Sequence, residues 1–70
     1  MNYDVSQIYD LLLITPIGGV VTYAELSKLV RMDEGECKDL IQKAVRRARR
    51  VDRVRYRKTY GGLVRLEDRE

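Results

Sequence analysis

Val20-Val21-Thr22-Tyr23-Ala24-Glu25-Leu26 is the stretch on which the fold of this 70-residue chain turns. Two adjacent β-branched residues suit a short strand. Thr22 and Glu25 then have capping-box spacing, in which the threonine oxygen takes the N–H three residues on and the glutamate reaches back to the threonine N–H. A strand therefore runs straight into a helix. That helix reaches about Val30, with Ala24, Leu26, Leu29 and Val30 available for packing. Just upstream, Gly18-Gly19 supplies a turn and Pro16 disfavours helix at Thr15.

Working toward the N-terminus, Asp4 and Gln7 repeat the capping-box spacing and predict a helix over 4–14. Val5, Ile8 and Leu12, with Leu11 at the edge, form its inward stripe. Tyr9, Leu13 and Ile14 fall outside the stripe, an apolar surplus that one buried face does not require.

Working toward the C-terminus, Arg31 to Asp33 is a tight connection, and Asp33 with Glu36 gives a third capping box for a helix over 33–50. Cys37, Leu40, Ile41, Ala44, Val45, Ala48 and Val51 fall within an arc of roughly 140° at helical spacing. Asp39, Gln42, Arg46, Arg49, Arg50 and Arg53 project opposite, and Arg47 flanks the arc with its stem along the core edge. After Asp52 the period changes to two and predicts a hairpin over 54–66. A three-residue loop, Tyr60-Gly61-Gly62, sets Tyr56 opposite Leu66, with Gly62 left-handed. It gathers Val54, Tyr56, Val64 and Leu66 on one face and Arg55, Arg57 and Arg65 on the other. A Gly61-Gly62 turn would instead set Tyr56 opposite Glu67 and mix apolar with charged side chains.

The chain thus reads as one α+β domain over 1–70: helix 4–14, short strand 20–21, helix 22–30, helix 33–50 and hairpin 54–66, with a charged tail from Glu67. This order resembles the winged helix-turn-helix. The Val20–Leu26 entry is similar to the stretch opening the DNA-binding half of alkylguanine alkyltransferases and alkyltransferase-like proteins, and the hairpin with its glycine pair resembles a wing. The resemblance implies three helices, a short strand, a C-terminal wing and contact with duplex DNA.

Charge points the same way. Residues 1–45 carry four Lys or Arg against seven Asp or Glu, a net of −3, whereas residues 46–70 carry ten against four, a net of +6. Arg46 to Lys58 holds eight basic side chains, seven of them Arg, and one acid, Asp52. Such polarity favours a polyanion partner, and the planar Arg fork suits phosphate oxygens and guanine edges. The bland alternative, a solvated charged face, usually mixes signs.

From these features the expected DNA contacts are Gln42, Arg46, Arg49 and Arg50 on the third helix, and Arg53, Arg55, Arg57, Lys58 and Tyr60 on the wing and its approach. Gln42, Arg46 and Arg49 form the groove-facing group, and Arg53, Arg55, Arg57 and Lys58 are mainly phosphate contacts. Thr22, first a helix cap, Tyr23 and Lys28 are candidate backbone contacts. The start of the third helix opposes this pattern, because Glu34, Glu36 and Asp39 would meet phosphates. A tilted helix, or an acidic protein partner, resolves the conflict.

No catalytic residue, metal or cofactor is expected. Cys37 lies on the apolar arc, the proline-cysteine-histidine-arginine motif of the alkyltransferases is missing, and no His exists to act as base or to complete a zinc site. A single Cys excludes an internal disulfide, and no apolar run approaches the ~20 residues of a membrane span. The expected protein is a cytoplasmic transcriptional regulator without membrane or small-molecule ligand, or alternatively a protein–protein interaction module on the same fold. A minimal core and the surplus Tyr9, Leu13 and Ile14 predict a homodimer through the first helix.

Overall fold

The computed structural model describes residues 2–67, so the tail residues Asp68, Arg69 and Glu70 lie outside the described residues. The fold is α+β, with three helices and a three-stranded antiparallel sheet, an arrangement compatible with a winged helix. Strand β1 (Val20–Thr22) passes into helix α2 (Tyr23–Val30) without a loop. The capping box forms as its spacing predicts: Glu25 N donates to Thr22 Oγ1 at 3.0 Å and Thr22 N donates to Glu25 Oε1 at 3.2 Å. Leu26 and Val30 are buried, whereas Ala24 and Leu29 are exposed.

Helix α1 (Tyr3–Ile14) begins earlier than the Asp4 cap predicts, because Asn2 is the cap. Its side-chain oxygen accepts from Asp4 N at 2.7 Å and from Val5 N at 3.4 Å. Asn is as good an N-cap as Asp, and placing Asp4 inside the first turn lets its charge face the positive helix end. Val5, Ile8 and Leu12 are buried as the stripe requires.

Helix α3 (Lys38–Arg47) starts five residues later than the Asp33 cap predicts. Cys37 N donates to Asp33 O at 3.0 Å and Glu36 accepts from Asp33 N at 3.4 Å, so the capping contacts exist but close only one turn. Gly35 within that turn weakens helix by about 1 kcal/mol relative to Ala. At its other end α3 runs into a π-helical segment, Ala48–Asp52, closed by a left-handed Arg53 at φ 60. Each residue of a wide π turn advances by less than the α-helical angle, so Val51 falls out of the apolar arc and is 53% exposed. Val54, whose N–H returns to Ala48 O at 3.1 Å, is buried instead.

The hairpin pairs β2 (Tyr56–Lys58) with β3 (Gly62–Arg65), and β3 also pairs with β1, giving the order β1-β3-β2. Its register differs from the three-residue-loop reading. Tyr56 stands opposite Arg65 and Lys58 opposite Leu63, which leaves a two-residue Tyr60-Gly61 turn closed by Thr59 N donating to Gly62 O at 2.8 Å. Directly opposed residues share a face. Val21, Leu63, Tyr56, Arg65 and Lys58 therefore share the inward side, with Lys58 exposed near the hairpin tip, and Val20, Val64 and Arg57 face outward. Leu63, not Val64 or Leu66, is the core residue of the wing. Arg65 is not an outward cation: its Nη1 donates to Thr15 O at 2.9 Å, and the Tyr56 hydroxyl donates to Leu12 O.

The reason lies in β1. Gly62 sits opposite Thr22, where an added Cβ would come within 2.4 Å of Val21 O and 2.8 Å of Thr22 Cα. Gly62 is needed for close approach, not for a left-handed turn, and its φ is not positive. The third strand, invisible to a hairpin pattern, sets the register.

The core gathers Ile8, Leu12, Leu26, Cys37 and Leu63, all fully buried, with α1 packed chiefly on α3. No helix among the described residues is long and apolar enough to cross a membrane.

Two glycines separate cleanly by experiment. Gly62→Ala forces β1 and β3 apart and is expected to cost about 2 kcal/mol, lowering Tm by roughly 8–16 °C in thermal unfolding. Gly61→Ala meets nothing within 4 Å and has no positive φ to strain, so it leaves Tm within a few degrees. Equal losses at both positions would contradict the β1–β3 account.

Candidate nucleic-acid interface

The exposed side of α3 is a ridge between two hollows. One, of about 880 Å³, opens between the start of α2, the turn before α3 and the hairpin tip, and Tyr23, Glu34, Lys38, Gln42, Lys58 and Tyr60 are among its walls. The other, of about 370 Å³, lies on the α1 side and is lined by Asn2, Val5, Lys43, Arg46, Arg47 and Arg50. The β1–β3 pairing makes the first hollow by fixing the hairpin beside α2. The α1–α3 packing makes the second.

Gln42, Lys58, Tyr60 and Tyr23 are thus brought together on the wing side, while Arg46 and Arg50 belong to the α1 side. Arg49, Arg53 and Arg57 are exposed but line neither hollow, and Lys28 stands apart in the last turn of α2. Arg55 is half-buried, its guanidinium donating to Glu67 O at 2.8 Å. The Thr22 hydroxyl is committed to the capping box. Sequence reasoning missed Lys38, one turn before Gln42, and Lys43, three residues before Arg46 and seven before Arg50. Helical spacing marks both.

Of the three acids expected at the start of the third helix, Asp39 alone lies in α3, exposed in its first turn. Because α3 starts at Lys38, Glu34 and Glu36 sit in the preceding turn, and Glu36 is held on Asp33 N. Of the seven acids before residue 45, Glu34 alone lines either hollow. The lone acid of the basic stretch, Asp52, accepts the Tyr9 hydroxyl, and the Arg47 guanidinium lies 5.5 Å from the centre of the Tyr9 ring. Tyr9 is therefore not surplus but ties α1 to the end of α3. The hydrogen bond to Asp52 is the chief reason its pKa is raised. Among the described residues no carboxylate pairs with Lys38, Lys43, Arg46, Arg49, Arg50, Arg53, Arg57 or Lys58.

Cys37 is fully buried, its thiol donating to Glu34 O at 3.4 Å. Burial pushes its pKa up, with backbone hydrogen bonding opposing and Glu34, Asp33 and Glu36 adding to the rise. Less thiolate and no access mean slow modification. With a disulfide reagent at pH 8, native Cys37 is expected to react at least ~100-fold more slowly than in denaturant, the factor that an opening cost near 3 kcal/mol would impose. A native rate equal to the denatured one would show the site open. Among the described residues no cluster of His, Cys, Asp and Glu is placed to hold a metal ion. No protein family, curated protein or solved structure matches this chain.

Proposed function

We propose that this protein is a duplex-DNA-binding protein of the winged helix-turn-helix kind, acting in the cytoplasm as a transcriptional regulator. Helix α3 enters the major groove and the β2–β3 hairpin serves as the wing. The observation that carries this reading is the set of Lys38, Lys43, Arg46, Arg49, Arg50, Arg53, Arg57 and Lys58, which have no carboxylate partner among the described residues. A ridge of one helix, roughly 10–12 Å across, matches a major groove about 12 Å wide, with a phosphate strand on each side. The hollow on the α1 side flanks that ridge on the side where one phosphate strand would pass. On the wing side, Gln42 and Lys38 have donors suited to adenine and guanine edges, and Glu34 suits the cytosine amino group.

Salt dependence tests the reading. With about seven cations on phosphates, log affinity for a short duplex falls with log salt at a slope of about −4 to −7. Absence of duplex binding at low salt would place the protein among interaction modules instead.

Self-association is part of the same proposal. With Tyr9 engaged by Asp52, the surface offered to a second copy is the end of α1 and the bend after it, where Ile14 is 77%, Ile17 54% and Val20 55% exposed. Leu13 is half-buried beside it. A two-fold dimer would present two α3 ridges to a palindromic site. Sedimentation at tens of micromolar, on the order of weak-interface dissociation constants, is expected to show a dimer for the native chain and a monomer for Ile14→Glu. Identical monomers for both would remove the dimer. The same apolar bend is the observation that favours a protein–protein interaction module, should duplex binding fail.

A further inference from the structure

We propose that the hollow on the α1 side of α3 is a phosphate seat, in which Lys43, Arg46, Arg47 and Arg50, with the carboxamide of Asn2, hold backbone phosphates of the duplex. The proposal rests on the duplex reading of α3 and reassigns Arg46 from reading bases to holding the backbone.

Four of the six lining residues are cations and none is an acid. Lys43, Arg46 and Arg47 stand at i, i+3 and i+4 on α3, and Arg50, in the π turn that follows, lines the same hollow. Like charges gathered this closely destabilise each other unless an anion lies between them. Among the described residues no carboxylate supplies that anion to Lys43, Arg46 or Arg50. The one acid nearby in sequence, Asp52, is taken by Tyr9. Arg47 is the fixed member of the set. Its guanidinium rests beside the Tyr9 ring, and its buried Nε has no hydrogen-bond partner. At the rim, Asn2 uses its carboxamide oxygen to cap α1, which leaves the NH2 of the same group as a donor. A donor set of guanidinium, ammonium and amide groups, without acceptors, suits phosphate oxygens and not a base edge, which demands both.

The wing-side hollow differs in kind. It mixes Lys38 and Lys58 with Gln42, Glu34, Tyr23 and Tyr60, so it holds acceptors as well as donors. The two sides of α3 therefore divide the work: the α1 side supplies sequence-independent affinity, and the wing side supplies preference.

Two probes test this. In the first, inorganic pyrophosphate is titrated into the 15N-labelled protein. The largest shifts are expected at Asn2, Lys43, Arg46 and Arg50 and should saturate; shifts centred on Arg53, Arg57 and Lys58, or none that saturate, would overturn the seat. In the second, the exposed pair Lys43→Gln and Arg50→Gln is combined and duplex affinity is measured at several salt concentrations. The double variant should bind all sequences roughly 10- to 100-fold more weakly, with a salt slope shallower by about 2. Gln42→Ala, in contrast, should change which sequence is preferred. Native-like affinity and slope in the double variant would overturn the seat while leaving the duplex reading intact. Saturable pyrophosphate binding in the hollow without any duplex binding would leave the seat standing, as a site for a free phosphate compound, and remove the duplex reading.

Discussion

Val21 and Leu63 face each other across the β1–β3 ladder, 2% and 1% exposed, and the geometry of the rest follows from that pair. A hairpin alone is marginal in water. Here its second strand becomes the centre of a three-stranded sheet whose first strand is covalently continuous with α2. Pairing is possible because Gly62 lacks a Cβ at the point where β3 meets Val21 O. Beyond the strand ends the same ladder is extended by Gly18 N to Arg65 O and Arg65 N to Gly19 O, both at 2.9 Å. Tyr23 N donates to Gly61 O at 3.1 Å. The wing is thereby locked to both ends of the strand-to-helix entry, and the tip carrying Lys58 and Tyr60 is fixed beside Tyr23 and Gln42.

A second constraint is electrostatic. Stability favours neutralising close cations, and this chain has acids enough to do so, yet they are placed elsewhere. Asp52 holds Tyr9, Glu25 completes the α2 cap, Glu36 returns to Asp33, and Asp4 lies in the first turn of α1. Glu25, Glu36 and Asp4 serve backbone or helix geometry, and Asp52 a tertiary contact. Lys38, Lys43, Arg46, Arg49, Arg50, Arg53, Arg57 and Lys58 have no carboxylate partner among the described residues. Surface ion pairs are worth only about 0–1 kcal/mol apiece, so leaving them unmade costs the fold little while preserving the charge for a partner.

Much of this was legible in the sequence, for identifiable reasons. The Thr22–Glu25 box, the Pro16 stop, the Val5–Ile8–Leu12 stripe and the Cys37–Ile41–Ala44 arc are local patterns, fixed by atoms three or four residues apart. What the sequence hid was non-local. The register of β2 against β3 depends on β1, some forty residues away. Arg65 reads as an outward strand cation, yet it faces inward because Leu63 must, and Thr15 O is there to receive it. Tyr9 reads as apolar surplus until Asp52 is brought beside it. Lys43 and Lys38 carry no mark of their own; the hollows that give them meaning exist only once α1 and the hairpin flank α3.

The π-helical segment shows why a periodic reading fails where it does. An arc drawn at 100° per residue holds through the α-helical Lys38–Arg47 and as far as Ala48, and breaks at Val51, within the wider turn. The widening has a geometric consequence for the basic stretch. It lets the left-handed Arg53 reverse the chain and return Val54 under Ala48, so that β2 starts near the end of α3 instead of continuing its axis. A regular helix through Asp52 would carry Arg49, Arg50 and Arg53 onward along one line, away from the sheet. With the π turn, the chain reverses at the left-handed Arg53 and leads from α3 into the hairpin. Tyr9 holds that arrangement from the α1 side through Asp52. The single acid in the basic stretch therefore anchors α1 to the bend at which the chain turns from helix to hairpin.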